Sequence, residues 1–394
     1  MSLELFDWLA RGFTQAAYWQ MAVYFLVVTQ LTMMSTTLYL HRSAAHRGVD
    51  FHPVVAHWFR FWSWLTTAMV TKEWTAVHRK HHAKCETAED PHSPRFQGIH
   101  KVLWRGVELY QSARLDKDML EKYGKGSPDD FIERAVYSRV PFMGPVLMLA
   151  INVALFGIPG LAIWALQMMW MPFWAAGVIN GLGHWWGYRN FDTADTATNI
   201  TPWGVWIGGE ELHNNHHAFP SSAKFALRKY EFDIGWAVIS GLRALGLAKV
   251  LRVAPELDVR PNIHVPDADT LRAVMAHRWQ VATDYFQIVL KPHLQAEAAD
   301  LPRRLRRAFR SEGKWLDEAH RARFSAWIAE RPKTARLMDF RARLLAIYEI
   351  KSAAAEAKME ALRAWCAEAE ASGVRQLEEF SVRLKGYSMV PARA

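Results

Sequence analysis

The chain has 394 residues, 51% of them hydrophobic, with 19 tryptophans, 20 phenylalanines and a net charge of +9. A soluble chain of this length would form two or three domains, but its long uncharged aromatic runs point to a bilayer as the solvent for part of it. Two cysteines, Cys85 and Cys366, exclude a disulfide framework and a four-cysteine iron-sulfur cluster. Anionic headgroups and the positive-inside rule account for the charge without nucleic acid.

Glu4 and Asp7 stand where a signal peptide would carry basic residues, so the first apolar segment is expected to be retained. From Gly12 to Leu40 there is no charged residue and no histidine, more than the roughly 20 residues one membrane span needs. This run leads into HRSAAHR, with His41 and His46. The next stretch, residues 51 to 74, is free of charge only from Phe61 to Thr71. That is too short to cross, and its tryptophans fit a helix lying at headgroup depth. It delivers VHRKHHAKCETAEDPHSP, with His78, His81 and His82.

Residues 83 to 136 are mixed and polar. Val140 to Gly183 is again uncharged, and Gly157-Ile158-Pro159-Gly160 divides it into the two halves of a helical hairpin that ends at Asn180 and His184. A second polar region, residues 185 to 264, carries HNNHH with His213, His216 and His217. After Pro266 the composition turns to Ala, Arg, Glu and Leu at helical spacing. The expected organisation is a membrane domain over residues 1 to 264 and a soluble helical extension over 265 to 394. In that extension Arg303, Arg304, Arg306, Arg307 and Arg310 read as a solvated or lipid-facing surface, or a docking site for a protein partner.

The expected fold is an all-α integral membrane protein with about three transmembrane helices, one interfacial helix and a cytosolic helical cap. Nine of the 17 histidines fall into the four groups above. In HxxHH the spacings i+3 and i+4 stack side chains on one helix face, so each box is expected to gather three imidazoles in one small volume. His41 and His46 lie five apart, so the first span should end between them. Lone histidines near an interface are ordinary polar tips, and His52, His57, His92, His100 and His264 read that way; Cys85 reads as incidental. Clustered imidazoles without a metal would repel on protonation and compete for partners. Nine neutral nitrogen donors exceed the needs of one ion, so two metals are implied, and without cysteine ligands or HExxH an oxygen-activating iron is the leading choice. All four groups must then lie on one membrane face, which the surrounding Arg and Lys place in the cytoplasm.

The order HxxxxH, HxxHH, HxxHH resembles the membrane-bound fatty acid desaturases, and in particular their stearoyl-CoA type Δ9 branch. HHAKCETAEDPHSP, NGLGHWWGYRNFD and GGEELHNNHHAFP each resemble a segment of that branch, and the likeness runs from about Val23 to Ala248. It implies a di-iron centre, cycling between Fe2+ and Fe3+, held by His41, His46, His78, His81, His82, His184, His213, His216 and His217, with Asn180 fixing a metal-bound water. It further implies O2 as oxidant, dehydrogenation of a long fatty acyl chain at Δ9, and two electrons from outside. The chain departs from the branch in having one span before the first box where two are usual. Ala76 and Val77 also replace an Arg-Asp pair that helps hold CoA, which leaves acyl-CoA and phospholipid open as carriers.

No GxGxxG follows a strand and no haem-binding HPGG occurs, so a separate donor such as a ferredoxin or flavin reductase is expected. The Arg- and Ala-rich tail suggests a bacterial inner membrane. The alternatives are a related di-iron fatty acyl or alkane hydroxylase, although alkane hydroxylases carry glutamates in their boxes and these do not, and a non-catalytic metal-binding membrane protein.

Overall fold

The computed structural model describes residues 3–298, 301–351 and 355–390. These fall into two compact units, one of residues 1–189 with 195–254 and the other of residues 190–194 with 255–394.

The first unit is built on helices. α1 (Leu3–Arg11) precedes α2, which runs from Tyr18 to Ala45 and winds as a π-helix over Ser35–Ala45. Gln20 accepts the free backbone N–H of Ala17 at 2.8 Å, so the start of α2 is capped from within. α3 (Pro53–Thr67) begins on a proline, which suits a first turn, and stops at Ala68 in the left-handed conformation, with φ of 58°. The chain restarts as α4 (Thr71–Lys84), so residues 51 to 74 form parts of two helices with a sharp break between them. The short helices α5 (Pro94–Gln97) and α7 (Lys117–Tyr123) flank the longer α6 (Ile99–Ala113).

The expected hairpin is α8 (Met143–Phe156) and α9, which runs from Ile158 to Leu182. They meet at Gly157, where φ is 67° and a Cβ would stand 2.4 Å from the Leu9 carbonyl oxygen, so only glycine fits. α3 approaches α8 as closely, since a Cβ on Gly144 would stand 2.1 Å from the Trp64 carbonyl oxygen. Two described helices, α2 with 28 residues and α9 with 25, are long and apolar enough to cross a membrane. The sequence suggested about three spans. α8, however, has 14 residues, or about 21 Å of helix against a hydrocarbon core of roughly 30 Å. Only 33% of the apolar window of α9 is buried, and Leu161, Leu166 and Met169 face outward, as lipid contact requires.

α10 (His213–Ala218) and α11 (Ile234–Ala244) follow, a π-helical turn spans Glu133–Tyr137, and two small ladders tie the segments of this unit together. β1 (Val49–Phe51) pairs antiparallel with β4 (Ala248–Val250), setting Val49 opposite Val250 just after the first histidine pair. β2 (Trp203–Gly204) runs parallel to β3 (Phe232–Asp233).

The described residues of the second unit form a series of helices, the first beginning at Ala268 and the last ending at Lys385, and an antiparallel pair, β5 (Glu256–Val259) with β6 (Tyr387–Val390), closes it. Its core gathers Tyr285, Phe309, Leu337, Trp365 and Phe380, and the polar ends of the aromatics are satisfied by backbone oxygens: Tyr285 donates to Leu337 and Trp365 to Phe340. Arg303, Arg304, Arg306 and Arg307 are exposed as expected, whereas Arg310 is half-buried and pairs with Asp192 at 2.9 Å.

Candidate metal centre

Four chain segments bring the nine predicted histidines together. At the end of α2 the π winding gives the bond from His46 N–H to the His41 carbonyl at 3.1 Å, an i to i+5 closure. Residues five apart therefore face the same way, and the rings of His41 and His46 lie 5.0 Å apart by centroid. The helix ends between them, but the wide turn is what makes them converge.

The imidazoles form two groups. The ligand nitrogens of His41, His46, His78, His82 and His216 all lie within 4.8 Å of one another. His81, His184 and His217 form the second group, with the Cys85 sulfur inside the same 4.8 Å limit. His213 joins them through His184, with the two Nε2 atoms 3.0 Å apart. Each HxxHH box is thus divided, where the sequence suggested that it would act as one. The pair four residues apart stays together (His78 with His82, His213 with His217), and the remaining histidine (His81, His216) serves the other group. Adjacent helical residues differ by about 100° in direction, so neighbours such as His81 and His82 cannot aim at one point.

The donor set fits metal ions. His46 and His78 oppose their Nε2 atoms at 2.8 Å, His82 and His216 at 2.9 Å, and His41 and His216 at 3.0 Å. One neutral imidazole presents a single N–H, so His216 Nε2 cannot satisfy two such neighbours, and a shared cation resolves the conflict. His217 Nε2 is buried without any hydrogen-bond partner. Burial, followed by the neighbouring imidazoles, holds His46, His78, His82, His213 and His216 well below the ordinary histidine range, which keeps them as neutral ligands.

A ring of carboxylates lies behind the histidines, and the sequence reading did not anticipate it. His217 donates from Nδ1 to Asp195 at 2.9 Å, His81 to Asp90 at 2.9 Å, His41 to Glu210 at 2.7 Å and His184 to Glu86 at 3.2 Å. Each contact fixes the Nδ1–H tautomer and leaves Nε2 free for a metal. Burial opposes ionisation of Asp90 and Asp195, but the facing imidazoles outweigh it and hold both carboxyls far below their usual range. Glu86 and Glu210 are likewise lowered against burial by His184 and His41. Glu86 also accepts from Thr196 and Ser93. The available signal was local: two of these acids stand in CETAEDP and one in GGEEL, beside the boxes.

His92 departs from the expected interfacial polar tip: it is buried, stacks on His81 with centroids 4.3 Å apart and joins a group with His81 and Asp90. The Cys85 sulfur lies 3.9 Å from His81 Nε2.

An apolar cavity reaches both groups. His41, His78, His213 and Asn180 line one end, and Met33, Thr66, Gln167 and Met168 line the part farther along α2, α3 and α9. In the run Met168 to Met171, Met168 and Met171 line the cavity, Met169 is 66% exposed, and Trp170 packs on Phe25 and Trp206.

A membrane-associated helical protein whose buried polyhistidine centre opens onto an apolar cavity has the form of a metal-dependent oxidoreductase acting on an apolar substrate. The comparisons specify it further. The family model for fatty acid desaturase matches residues 17–233. Delta-9 acyl-lipid desaturase 2 of Arabidopsis thaliana is 31% identical over 63% of this chain and 78% of its own. Acyl-CoA C20 Delta5-desaturase of Anemone leveillei is 29% identical over 63% and 78%, and icosanoyl-CoA 5-desaturase of Limnanthes douglasii is 31% identical over 57% and 62%. The chain belongs to the fatty acid desaturase family and is a fatty acyl desaturase.

Proposed function

We propose that the nine histidines hold two iron ions and that the protein uses O2 to remove two hydrogens from adjacent methylenes of a long saturated acyl chain. The balance is one O2, two electrons and two protons consumed, with two waters and one double bond formed. His41, His46, His78, His82 and His216 would hold one iron, and His81, His184, His213 and His217 the other. When bound, the irons supply an oxidant for unactivated C–H bonds, which no acid, base or nucleophile of the chain can attack.

The rest of the work falls to the protein. Asp195, Asp90, Glu210 and Glu86 keep the Nδ1 proton on their histidines and orient the rings. The cavity aligns the acyl chain and excludes water from it. Asn180, on α9 one turn before His184 and lining the cavity, is placed to hold a water beside the centre. The cavity carries this reading, because it brings an apolar chain to both histidine groups at once.

Δ9 is the proposed position, in line with the Arabidopsis relative, and the Δ5 relatives make Δ5 the competing outcome. The buried, apolar Ala76 and Val77 offer CoA no charged contact, which favours an acyl chain drawn from membrane lipid. The electron source is a separate ferredoxin or flavin reductase, so NAD(P)H alone should not support turnover. The metal side is assigned to the cytoplasmic face of a bacterial inner membrane, with the catalytic domain over residues 1 to 264 and the helical extension beyond it.

The test is the fatty acid profile of a host expressing the chain, with double bonds located by mass spectrometry and His216→Ala as control. New monoenes absent from the variant are expected. Hydroxy acids in their place would establish a hydroxylase, and an unchanged profile despite bound iron and a supplied reductase would refute catalysis.

A further inference from the structure

Gln167, on the lining of the cavity, is held by a chain of hydrogen bonds across three helices. Tyr24 on α2 donates to Asn152 Oδ1 at 2.7 Å, and Asn152 on α8 donates from Nδ2 to Gln167 Oε1 on α9 at 2.7 Å. Asn152 is fully buried and Gln167 is 5% exposed. Gln167 is the first residue of α9 to line the cavity, and Met33 is the first of α2. Behind them Met21, Phe156 and Ile163 fill the space between the same helices. A side chain in that position cannot swing aside freely: Gln167 Nε2 is already buried without a partner, and leaving Asn152 would also strand the Asn152 Nδ2–H and the Gln167 Oε1 among apolar side chains.

We propose that Gln167, held by Asn152 and Tyr24, is the stop for the methyl end of the acyl chain and therefore a determinant of chain length. From Gln167 to Asn180 an α-helix would rise about 20 Å at 1.5 Å per residue, and this one rises somewhat less because it winds as a π-helix over Pro172–Leu182. That is comparable with one leaflet's share, about 15 Å, of a 30 Å hydrocarbon core, so this part of the cavity can take the methyl-side portion of a membrane acyl chain. A fixed stop at this depth limits how many carbons can lie beyond the histidine groups. The inference rests on the desaturase reading for its substrate, but not for its geometry.

The test gives a host expressing wild type or Gln167→Ala saturated acids of 16, 18, 20 and 22 carbons and measures the chain lengths of the monoenes. Apolar pockets discriminate one methylene by roughly tenfold or more, so the ratio of 20- and 22-carbon to 18-carbon products should rise by about that factor in the variant. The double bond, counted from the carboxyl, should stay in place. Gln167→Asn, one methylene shorter with its amide kept, should shift the ratio the same way by less, and it serves if the alanine variant does not accumulate. Stabilisation of the purified protein against heat by the same acids gives a readout independent of turnover: the longest stabilising acid should be longer for the variant. If products are absent but this limit moves, the stop stands and the desaturase reading fails. If monoenes form and neither their lengths nor the binding limit moves in properly loaded protein, Gln167 is not the stop.

Discussion

His217 gives its Nδ1 proton to Asp195 at 2.9 Å and keeps a buried Nε2 with no hydrogen-bond partner. The acid and the imidazole are 22 residues apart, yet together they define which nitrogen faces the centre. Outer partners of this kind typically change metal affinity by 10- to 100-fold. Asp195→Ala should therefore weaken the second iron by about that factor and leave the first in place. Iron bound per chain after dialysis against a graded chelator checks this, and two equally retained irons would mean that Asp195 does not orient a ligand.

The division of the boxes predicts unequal partners for adjacent histidines. His81→Ala should cost the iron shared with His184, His213 and His217, while His82→Ala should cost the one shared with His41, His46, His78 and His216. Each single variant should retain close to one iron, His81→Ala with His217→Ala should retain one as well, and His81→Ala with His82→Ala should retain none. Equal losses from the two double variants would show that the boxes are not split in this way.

The boxes themselves were legible because i+3 and i+4 identities are written directly in the chain, and so were two long apolar helices, though not the number of spans. Their division was not, because the sequence reading treated three residues on one helix face as having one target. His41 and His46 looked badly placed at five apart, since the reading assumed 3.6 residues per turn and the chain winds more widely there. Asp195 and His92 were missed for a common reason. Each contributes through a tertiary contact, across 22 residues to His217 for one and by stacking on His81 for the other, and no local pattern marks it. The brevity of α8 was hidden because an uncharged run does not reveal where its first turn begins.

Stability of the metal-free protein should fall with acid. Burial lowers His217 to about 4 and His92 to about 3, and it holds His46, His78, His82, His213 and His216 well down. The unfolded chain takes up these protons near pH 6.5, the folded one only far below. The stability these groups allow is thus full above about pH 6.5 and declines below it, by up to about 1.4 kcal/mol per pH unit for each histidine. Thermal unfolding of apoprotein in detergent from pH 8 to pH 5 should give a flat upper limb and a steep lower one. A melting temperature unchanged down to pH 5 would mean that the imidazoles are not held neutral.

Arg42, beside the ligand His41, is fully buried and binds Asp233 through both guanidinium ends at 2.8 and 2.9 Å. It also donates to the carbonyls of Ala223 and Gly208, and its charge lies 3.8 Å from the centre of the Phe225 ring, which packs on His216. One side chain thus ties the end of α2 to the segments on either side of the third box. Removing one member of such a pair leaves a buried charge uncompensated and costs about 3–5 kcal/mol, whereas replacing both with apolar residues is far less damaging. Arg42→Leu and Asp233→Leu should each destabilise the protein by about that amount, and the double variant by clearly less than their sum. Because Arg42 touches neither the cavity nor a ligand nitrogen, whatever double variant accumulates should still bind iron, more weakly than wild type. Additive losses in a double-variant cycle would mean that the two residues act separately and that the third box is positioned by its own helix alone.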